Sequence, residues 1–212
     1  MAYLEDCLHL TMGQVIPMIQ QRIMQQSTYF GIPAWKSPVD FWIYQELVYE
    51  LKPDVIVEIG VNSGGSTLAL AHICDLLEHG RVIGIDLNHD GVAPAVSRHP
   101  RIRLIAGDAC AAIKRVQRFV KRTDSVLVIE DSSHTFENTL SILEVYSPLI
   151  KPGGYFIVED GICHHGLDAG PSPGPYEAVQ TFIGRNPQFE IDRSREAFLI
   201  TWNPKGYLRR VA

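Results

Sequence analysis

Residues 55–67 read VIVEIGVNSGGST, and this stretch decides the predicted fold. A short apolar run carries an acid, Glu58, near its end, and Gly60, Gly64 and Gly65 follow before a helical pattern begins. Glycines let the backbone approach a ligand closely, and the first turn of a helix offers unpaired N–H groups. The pattern therefore predicts a strand, a tight turn and a helix that together form a ligand-binding corner.

The glycine spacing separates this corner from two common nucleotide-binding turns. It is not the dinucleotide pattern G-x-G-x-x-G, and it is not a P-loop because no Lys follows the last glycine. The carboxylate of Glu58 suits a cationic amino group better than a pyrophosphate. A purely structural role, a tight strand-to-helix turn, remains an open alternative for the glycines.

The alternation of strand and helix extends outward from this corner. Short β-branched runs alternate with helical stretches between residues 54 and 160, which is typical of βαβ units in a parallel sheet. The predicted strands are 55–58, 82–86, 102–105, 126–129 and 155–158, followed by two more near 188–191 and 197–202. The predicted helices lie near 66–78, 92–98, 109–122, 135–149 and 176–184, and an earlier one ends at Lys52 ahead of Pro53. We therefore expect an α/β fold with a mostly parallel seven-stranded sheet and helices on both faces.

Length, composition and charge restrict the class of protein. The 212 residues fit a single domain, with residues 1–53 as an N-terminal helical region and 54–212 as the core. The 19 Lys+Arg against 24 Asp+Glu give a net charge of −5, so we expect no nucleic-acid partner. No apolar run approaches the roughly 20 residues of a membrane span, and the opening MAYLEDCLHL lacks the basic start of a secretory signal. We expect a cytoplasmic protein without a membrane partner.

Two further acids follow the next predicted strands. Asp86 ends the second strand, where an acid can accept both hydroxyls of a ribose. Asp108 follows the third, where its carboxylate can meet an exocyclic amine while the Ala109 N–H meets a ring nitrogen. Each has a structural alternative, as a loop cap or as the N-cap of the next helix. Together with Glu58 they match the S-adenosylmethionine site of class I methyltransferases.

Three more carboxylates follow the fourth and fifth predicted strands. Asp131, Glu159 and Asp160 emerge at one edge of the sheet, where neighbouring strands are about 4.8 Å apart. Carboxylates that close repel each other unless a cation lies between them, and an all-oxygen site suits Mg²⁺ or another divalent cation. Strand alternation turns Glu130 away from this point. Helix caps and solvated loop acids are the alternative interpretation.

His134 and a long loop complete the predicted site. His134 comes three residues after Asp131, where an imidazole can titrate near neutral pH and reach a substrate hydroxyl. A polar residue at a helix start is its structural alternative. Residues 161–175 are rich in Gly and Pro, and we expect this loop to close over the acceptor.

Several stretches in combination carry a resemblance to a known family. They are GIPAWKSPVDFWIYQELVYELKPDVIVEIGVNSGGSTLALA, EDSSHT, YSPLIKPGGYFIVEDG and FLITWNPKGYLRR, which span about residues 29–210. In these stretches the chain resembles the cephalosporin hydroxylase/rhamnosyl O-methyltransferase family. The resemblance implies a Rossmann-like class I methyltransferase fold, bound S-adenosylmethionine and a divalent metal.

The resemblance also implies roles for individual residues. Cofactor contacts fall on Glu58, Gly60, Asp86, Asp108 and Ala109. We also expect Gly64 and Ser66 of the glycine turn to contact the cofactor. Metal ligands fall on Asp131, Glu159 and Asp160, and His134 falls where related sugar methyltransferases have their base. Metal-dependent catechol methyltransferases have a Lys at the position of His134, so this chain groups with the sugar and antibiotic enzymes.

The sequence therefore predicts a magnesium-dependent O-methyltransferase. We expect Asp131 and His134 to take part in catalysis, with a small-molecule hydroxyl acceptor such as a deoxysugar, a vicinal diol or a phenol. A homo-oligomer is also expected. The alternatives are a partner protein that binds the cofactor and supports a hydroxylation step in antibiotic biosynthesis, and a nicotinamide-dependent oxidoreductase, which the missing G-x-G-x-x-G disfavours.

Overall fold

A computed structural model describes residues 3–212, which form a small hairpin and a seven-stranded sheet flanked by helices. The hairpin is made of β1 (Thr28–Tyr29) and β2 (Ile32–Pro33). The sheet contains β3 (Val55–Ile59), β4 (Arg81–Asp86), β5 (Ile102–Ala106), β6 (Val126–Glu130), β7 (Tyr155–Val158), β8 (Phe189–Ile191) and β9 (Tyr207–Arg210). The helices are α1 (Leu4–Cys7), α2 (Met12–Gln26), α3 (Pro38–Leu51), α4 (Gly65–Leu76), α5 (Pro94–Ser97), α6 (Ala109–Gln117), α7 (Phe136–Tyr146) and α8 (Pro175–Arg185), with short 3₁₀ turns at Ser147–Leu149 and Arg193–Arg195.

The sheet has the strand order β5-β4-β3-β6-β7-β9-β8. The first five strands are parallel, and β9 runs antiparallel to both of its neighbours. The chain order reverses between β3 and β6, and ligands of open α/β sheets bind at the carboxyl ends of strands beside such a reversal. The expectation of a mostly parallel seven-stranded sheet is confirmed.

The central strands are buried on both faces, which explains their continuous apolar sequences. On one face Val57 and Val128 pack in a cluster with residues of α6, α7 and α8. On the other face Ile56 and Leu127 pack with residues of α3 and α4. Helices on both faces therefore hold the strand ends rigidly at one edge of the sheet. None of the helices within residues 3–212 is long and apolar enough to cross a membrane.

One predicted strand is wrong. Residues 197–202 form a loop, and the last strand is β9, five residues further along. The loop is held against α3 because Asp40 accepts hydrogen bonds from the Thr201 hydroxyl and, at 2.8 Å, from the Trp202 N–H. These polar contacts bury the loop although no neighbouring strand pairs with it. Its apolar residues therefore resemble the sequence of a buried strand.

The predicted helices are present, and most are shorter than expected. The helix predicted over 109–122 ends at Gln117, because Asp124 accepts from the Lys121 N–H at 3.0 Å and draws the chain into a turn. Helix α3 does end before Lys52, which takes a left-handed conformation ahead of Pro53. The conformations and hydrogen bonds of the turns therefore set these helix boundaries. The apolar periodicity of the sequence does not reveal them.

Gly60 is the point at which the ends of β3 and β6 touch. Its φ is +97°, and a Cβ there would lie 1.9 Å from the carbonyl oxygen of Asp131. Its N–H donates to the Ile85 carbonyl at 2.9 Å, so the backbone cannot move away without losing that bond. Only glycine meets both requirements.

We expect Gly60→Ala to lower the free energy of unfolding by more than about 2 kcal/mol, because it adds left-handed strain to a backbone overlap. Gly184→Ala is the matched control, since a Cβ at this helical glycine meets nothing within 4 Å. The control should be stabilised by about 0.5–1 kcal/mol. Denaturant unfolding measures both variants, and equal stabilities would contradict the assigned role of Gly60.

Candidate active site

A cavity of about 830 Å³ lies at the carboxyl ends of the parallel strands. Its size falls within the usual range for small-molecule sites. Eight of the residues predicted for the site line it: Gly60, Ser66, Asp86, Asp108, Ala109, Asp131, His134 and Asp160. The predicted residues Glu58, Gly64 and Glu159 are not in its lining. Glu58 and Glu159 are buried.

Glu58 is fully buried on β3, beside the start of α4. The Thr67 hydroxyl donates to one of its carboxylate oxygens. The other oxygen, Oε1, is buried and has no hydrogen-bond partner within residues 3–212. A buried carboxylate oxygen without a partner is costly, so this corner is incomplete without a donor.

Asp86 and Asp108 each serve the backbone as well as the cavity. Asp86 Oδ2 accepts from the N–H groups of Val61 at 2.9 Å and Asn62 at 2.8 Å, and its Oδ1 accepts from Leu87 at 2.7 Å. Asp108 Oδ1 accepts from Ala111 N at 2.8 Å and caps α6. The structural alternatives foreseen from the sequence are therefore present. They coexist with a ligand role, since a carboxylate has about four acceptor positions.

An acidic cluster forms where β6 and β7 end. His134 Nδ1 lies 2.7 Å from Asp160 Oδ2, and His134 Nε2 lies 3.6 Å from Asp131 Oδ1. One ligand atom from each of these three residues lies within 4.8 Å of the others, which is a spacing that can hold a metal ion. Glu130 is buried outside this cluster, where it accepts from Ser132 and Thr139, as strand alternation predicts.

Two residues of the cluster have strained backbones. His134 has a φ of +59° and Asp160 a φ of +54°, both in the left-handed region that non-glycine residues avoid. Asn203, which is fully buried, accepts from the Asp160 N–H at 3.3 Å and donates to the Tyr44 hydroxyl at 2.7 Å. Such strain collects at functional sites, where the surrounding structure holds it in place.

Lys36 lines the cavity beside the acidic cluster and was not predicted from the sequence. Its ammonium contacts both Asp131 Oδ2 and Glu159 Oε1, and its side chain is only 7% exposed. It comes from the segment between β2 and α3, far from the strand ends in sequence. A lysine between two prolines in GIPAWKSP follows no period, and the only hint was its isolation in an apolar stretch.

The pKa values of Asp131, Glu159 and His134 are raised where several carboxylates lie close together. Burial raises the pKa of Asp131 to about 7 against the opposing charge of Lys36, and Asp160 adds to the rise. Burial and the charge of Asp131 raise the pKa of Glu159. Burial opposes protonation of His134, but its hydrogen bond to Asp160 and the neighbouring carboxylates outweigh burial and raise its pKa to about 9. The cluster therefore favours positive charge, whether protons or a cation.

The remaining wall of the cavity comes from outside the sheet. Helix α2 contributes Gln20 and Met24, and the segment after β2 contributes Trp35. Trp202 lines the same wall and donates from Nε1 to Gln20 Oε1 at 2.5 Å. The loop after β7 contributes Cys163, Leu167, Ala169, Gly170 and Pro171. This wall is apolar and aromatic, in contrast to the acidic strand ends.

The topology and the strand-end acids define a class I methyltransferase fold. A family model described as Rhamnosyl O-methyltransferase/CmcI matches residues 21–211, and the chain belongs to this family. Rhamnosyl O-methyltransferases of Mycobacterium tuberculosis (strain ATCC 25618 / H37Rv) and Mycobacterium leprae (strain TN) are each 32% identical to it over 195 residues. The alignments cover 89% of this chain and 80% and 85% of those proteins.

Solved structures agree with the family. CmcI with Mg and SAM is 26% identical, with a TM-score of 0.69 over 88% of this chain and 77% of that one. An O-methyltransferase from Bacillus cereus in complex with SAH is 19% identical, with a TM-score of 0.59 over 89% and 86% of the two chains, and shows the shared fold. The resemblance inferred from sequence motifs is confirmed, and the chain is an enzyme of the O-methyltransferase class.

The raised pKa of His134 predicts a pH-dependent stability of the metal-free protein. The pKa of His134 in the folded protein, about 9, exceeds its ordinary value of 6.5. Protonated His134 therefore contributes fully to the free energy of unfolding below about pH 6.5, and this contribution is lost as the pH rises through about 9. In excess EDTA, unfolding free energies at pH 6.5 and 9.5 should therefore differ more in the parent protein than in His134→Asn. His9→Asn, at an exposed histidine, is the control and should behave as the parent. An identical pH dependence in all three proteins would contradict the assignment.

Proposed function

We propose that this protein is an S-adenosylmethionine-dependent O-methyltransferase that uses a divalent cation and methylates a hydroxyl of a sugar or natural product. The observation that carries the proposal is the shared cavity. Residues of the Glu58 corner and the cluster of Asp131, His134 and Asp160 lie along one cavity, so a methyl donor and a metal-held acceptor would meet there.

The Glu58 corner fits the cofactor. Its unpartnered buried oxygen would accept a hydrogen bond from the cationic amino group of S-adenosylmethionine. Asp86 and Asp108 lie at the next two strand ends along the cavity, where the ribose and the adenine are expected. The CmcI structures with SAM and with SAH support this assignment.

The acidic cluster fits a divalent cation. Asp131 and Asp160 offer carboxylate oxygens, which hard cations prefer. A similar structure, CmcI with Mg and SAM, supports a divalent cation in this protein. Glu159 remains a proposed third anionic ligand, and it can serve only if Lys36 gives up or shares its oxygen. The raised pKa of Asp131 and of His134 is the sign of a site that gains from added positive charge.

When bound, S-adenosylmethionine supplies a sulfonium methyl group and the cation lowers the pKa of a hydroxyl next to it. The protein contributes position and charge. Asp160 orients the imidazole of His134 through their 2.7 Å contact. At a pKa of about 9 the ring is protonated at neutral pH, so it can accept a proton only once the charge of its carboxylate neighbours is neutralised.

The apolar wall supports a ring-shaped acceptor. Trp35 and Trp202 offer flat faces, and Gln20 is the polar group between α2 and the Trp202 loop. The loop predicted over 161–175 borders this wall through Leu167 and Pro171, which supports its proposed role over the acceptor. A sugar or phenol ring presents both an apolar face and hydroxyl groups, and it suits this combination.

We expect Glu58→Gln to weaken S-adenosylmethionine binding by about 10- to 150-fold, because one charge-assisted hydrogen bond contributes roughly 1.5–3 kcal/mol. Isothermal calorimetry measures the change. Glu78→Gln, at an exposed acid after α4, is the control and should bind as the parent does. Heat from NAD with none from S-adenosylmethionine would refute the cofactor assignment.

The function is tested with a panel of glycosides and phenols incubated with S-adenosylmethionine and Mg²⁺. We expect mass spectrometry to show a product with one additional methyl group, and excess EDTA to abolish it while calorimetric cofactor binding persists. In the same assay His134→Ala should lower turnover by roughly 10²–10⁴-fold, as loss of a general base does.

His9→Ala is the matched histidine control in that assay and should keep parental turnover. Full activity in EDTA with no metal found by elemental analysis would overturn the metal requirement. Turnover of His134→Ala within about fivefold of the parent would remove His134 as the base. Cofactor binding without any methylated product across the panel would favour the partner-protein alternative.

A further inference from the structure

Lys36 enters the acidic cluster from a segment that is firmly docked. The segment 34–37 joins β2 to α3, and the Ser37 hydroxyl accepts from Asp40 N at the start of α3. At its other end, Pro33 O and the Ala34 side chain press on Gly65, where a Cβ would lie 2.4 Å and 2.7 Å from them. The backbone of Lys36 is therefore held over the strand ends.

The ammonium of Lys36 occupies the position where a cation is most needed. It contacts Asp131 and Glu159, which directly follow β6 and β7. Its ammonium is paired with both carboxylates, and the Lys36 and Glu159 side chains are both buried. A single charge on Lys36 cannot neutralise three carboxylates, so Asp160 is left to pair with His134.

We propose that Lys36 is a built-in competitor of the divalent cation. In the metal-free protein its ammonium holds Asp131 and Glu159, and a bound cation takes over these oxygens and displaces it. This inference rests on the metal requirement under the proposed function. It makes Lys36 a positioning residue that lowers the affinity for the cation and keeps the acids from repelling one another between binding events.

Competition between Lys36 and the cation predicts the direction in which metal affinity changes when Lys36 is replaced. Removing a unit positive charge next to a doubly charged ion strengthens the binding of that ion, and the effect is large because the site is buried. A lysine that only tied α3 to the sheet would instead leave metal affinity unchanged or lower it when removed. The two roles therefore predict opposite shifts in the dissociation constant.

The experiment measures Mn²⁺ binding to the full chain by electron paramagnetic resonance and calorimetry, without acceptor or cofactor. We expect Lys36→Met to bind Mn²⁺ more tightly than the parent, by a factor of about ten or more. Lys36→Arg keeps the charge and should stay within about threefold of the parent. Lys121→Met, at an exposed lysine, is the control for overall charge and should match the parent.

Parental Mn²⁺ binding with equal or weaker binding in Lys36→Met would overturn the inference and leave the proposed function standing. Absence of Mn²⁺ binding in both proteins would overturn the metal requirement and the inference with it. If Lys36→Met does not fold, reductive methylation of the parent protein decides the question. Mn²⁺ should then raise labelling of Lys36 several-fold while Lys121 is unchanged, and an unchanged Lys36 rate would overturn the inference.

Discussion

Repulsion among buried carboxylates is the constraint on which the rest of this structure depends. Parallel strands bring their carboxyl ends to one edge about 4.8 Å apart, and this chain places an acid at or just after each of five such ends. Burying acids such as Glu58 and Glu159 is unfavourable unless each gains a partner. Backbone N–H groups donate hydrogen bonds to Asp86 and Asp108, and the Thr67 hydroxyl donates to one of the two carboxylate oxygens of Glu58. Positive charge is needed for the others.

The remaining acids explain why so much of the protein outside the sheet converges on this edge. Lys36 arrives from the segment before α3, and His134 and Asp160 take left-handed backbone conformations that bring them together. Asn203 arrives from the loop before β9 to accept from the Asp160 N–H. These contacts keep the acids close and leave the cluster short of positive charge, which is the condition for binding a cation.

The fold and the strand-end acids that line the cavity could be predicted because they depend on local patterns. Apolar runs identified the five parallel strands, and an acid at or just after each predicted strand end identified Glu58, Asp86 and Asp131. Lys36 could not be predicted, because its contacts with Asp131 and Glu159 join residues 95 and 123 positions apart. The strand predicted over 197–202 was wrong for the same reason, since that segment is held by the distant Asp40. Whether Glu159 binds metal stays a prediction, because the sequence could not show its pairing with Lys36.

The hydrogen bonds of Asp40 have a consequence for the order in which the site can be built during synthesis. The corner around Glu58 uses residues 55–109, whose contacts are mostly between neighbouring strands. The acidic cluster instead needs Lys36, positioned near Asp40, and the segment of Thr201, Trp202 and Asn203 that Asp40 binds across 161 residues or more. Closing so long a loop costs chain entropy that only the finished core can offset. A chain emerging from the ribosome can therefore form the corner around Glu58 early, whereas the acidic cluster is completed only after Asn203 has been added.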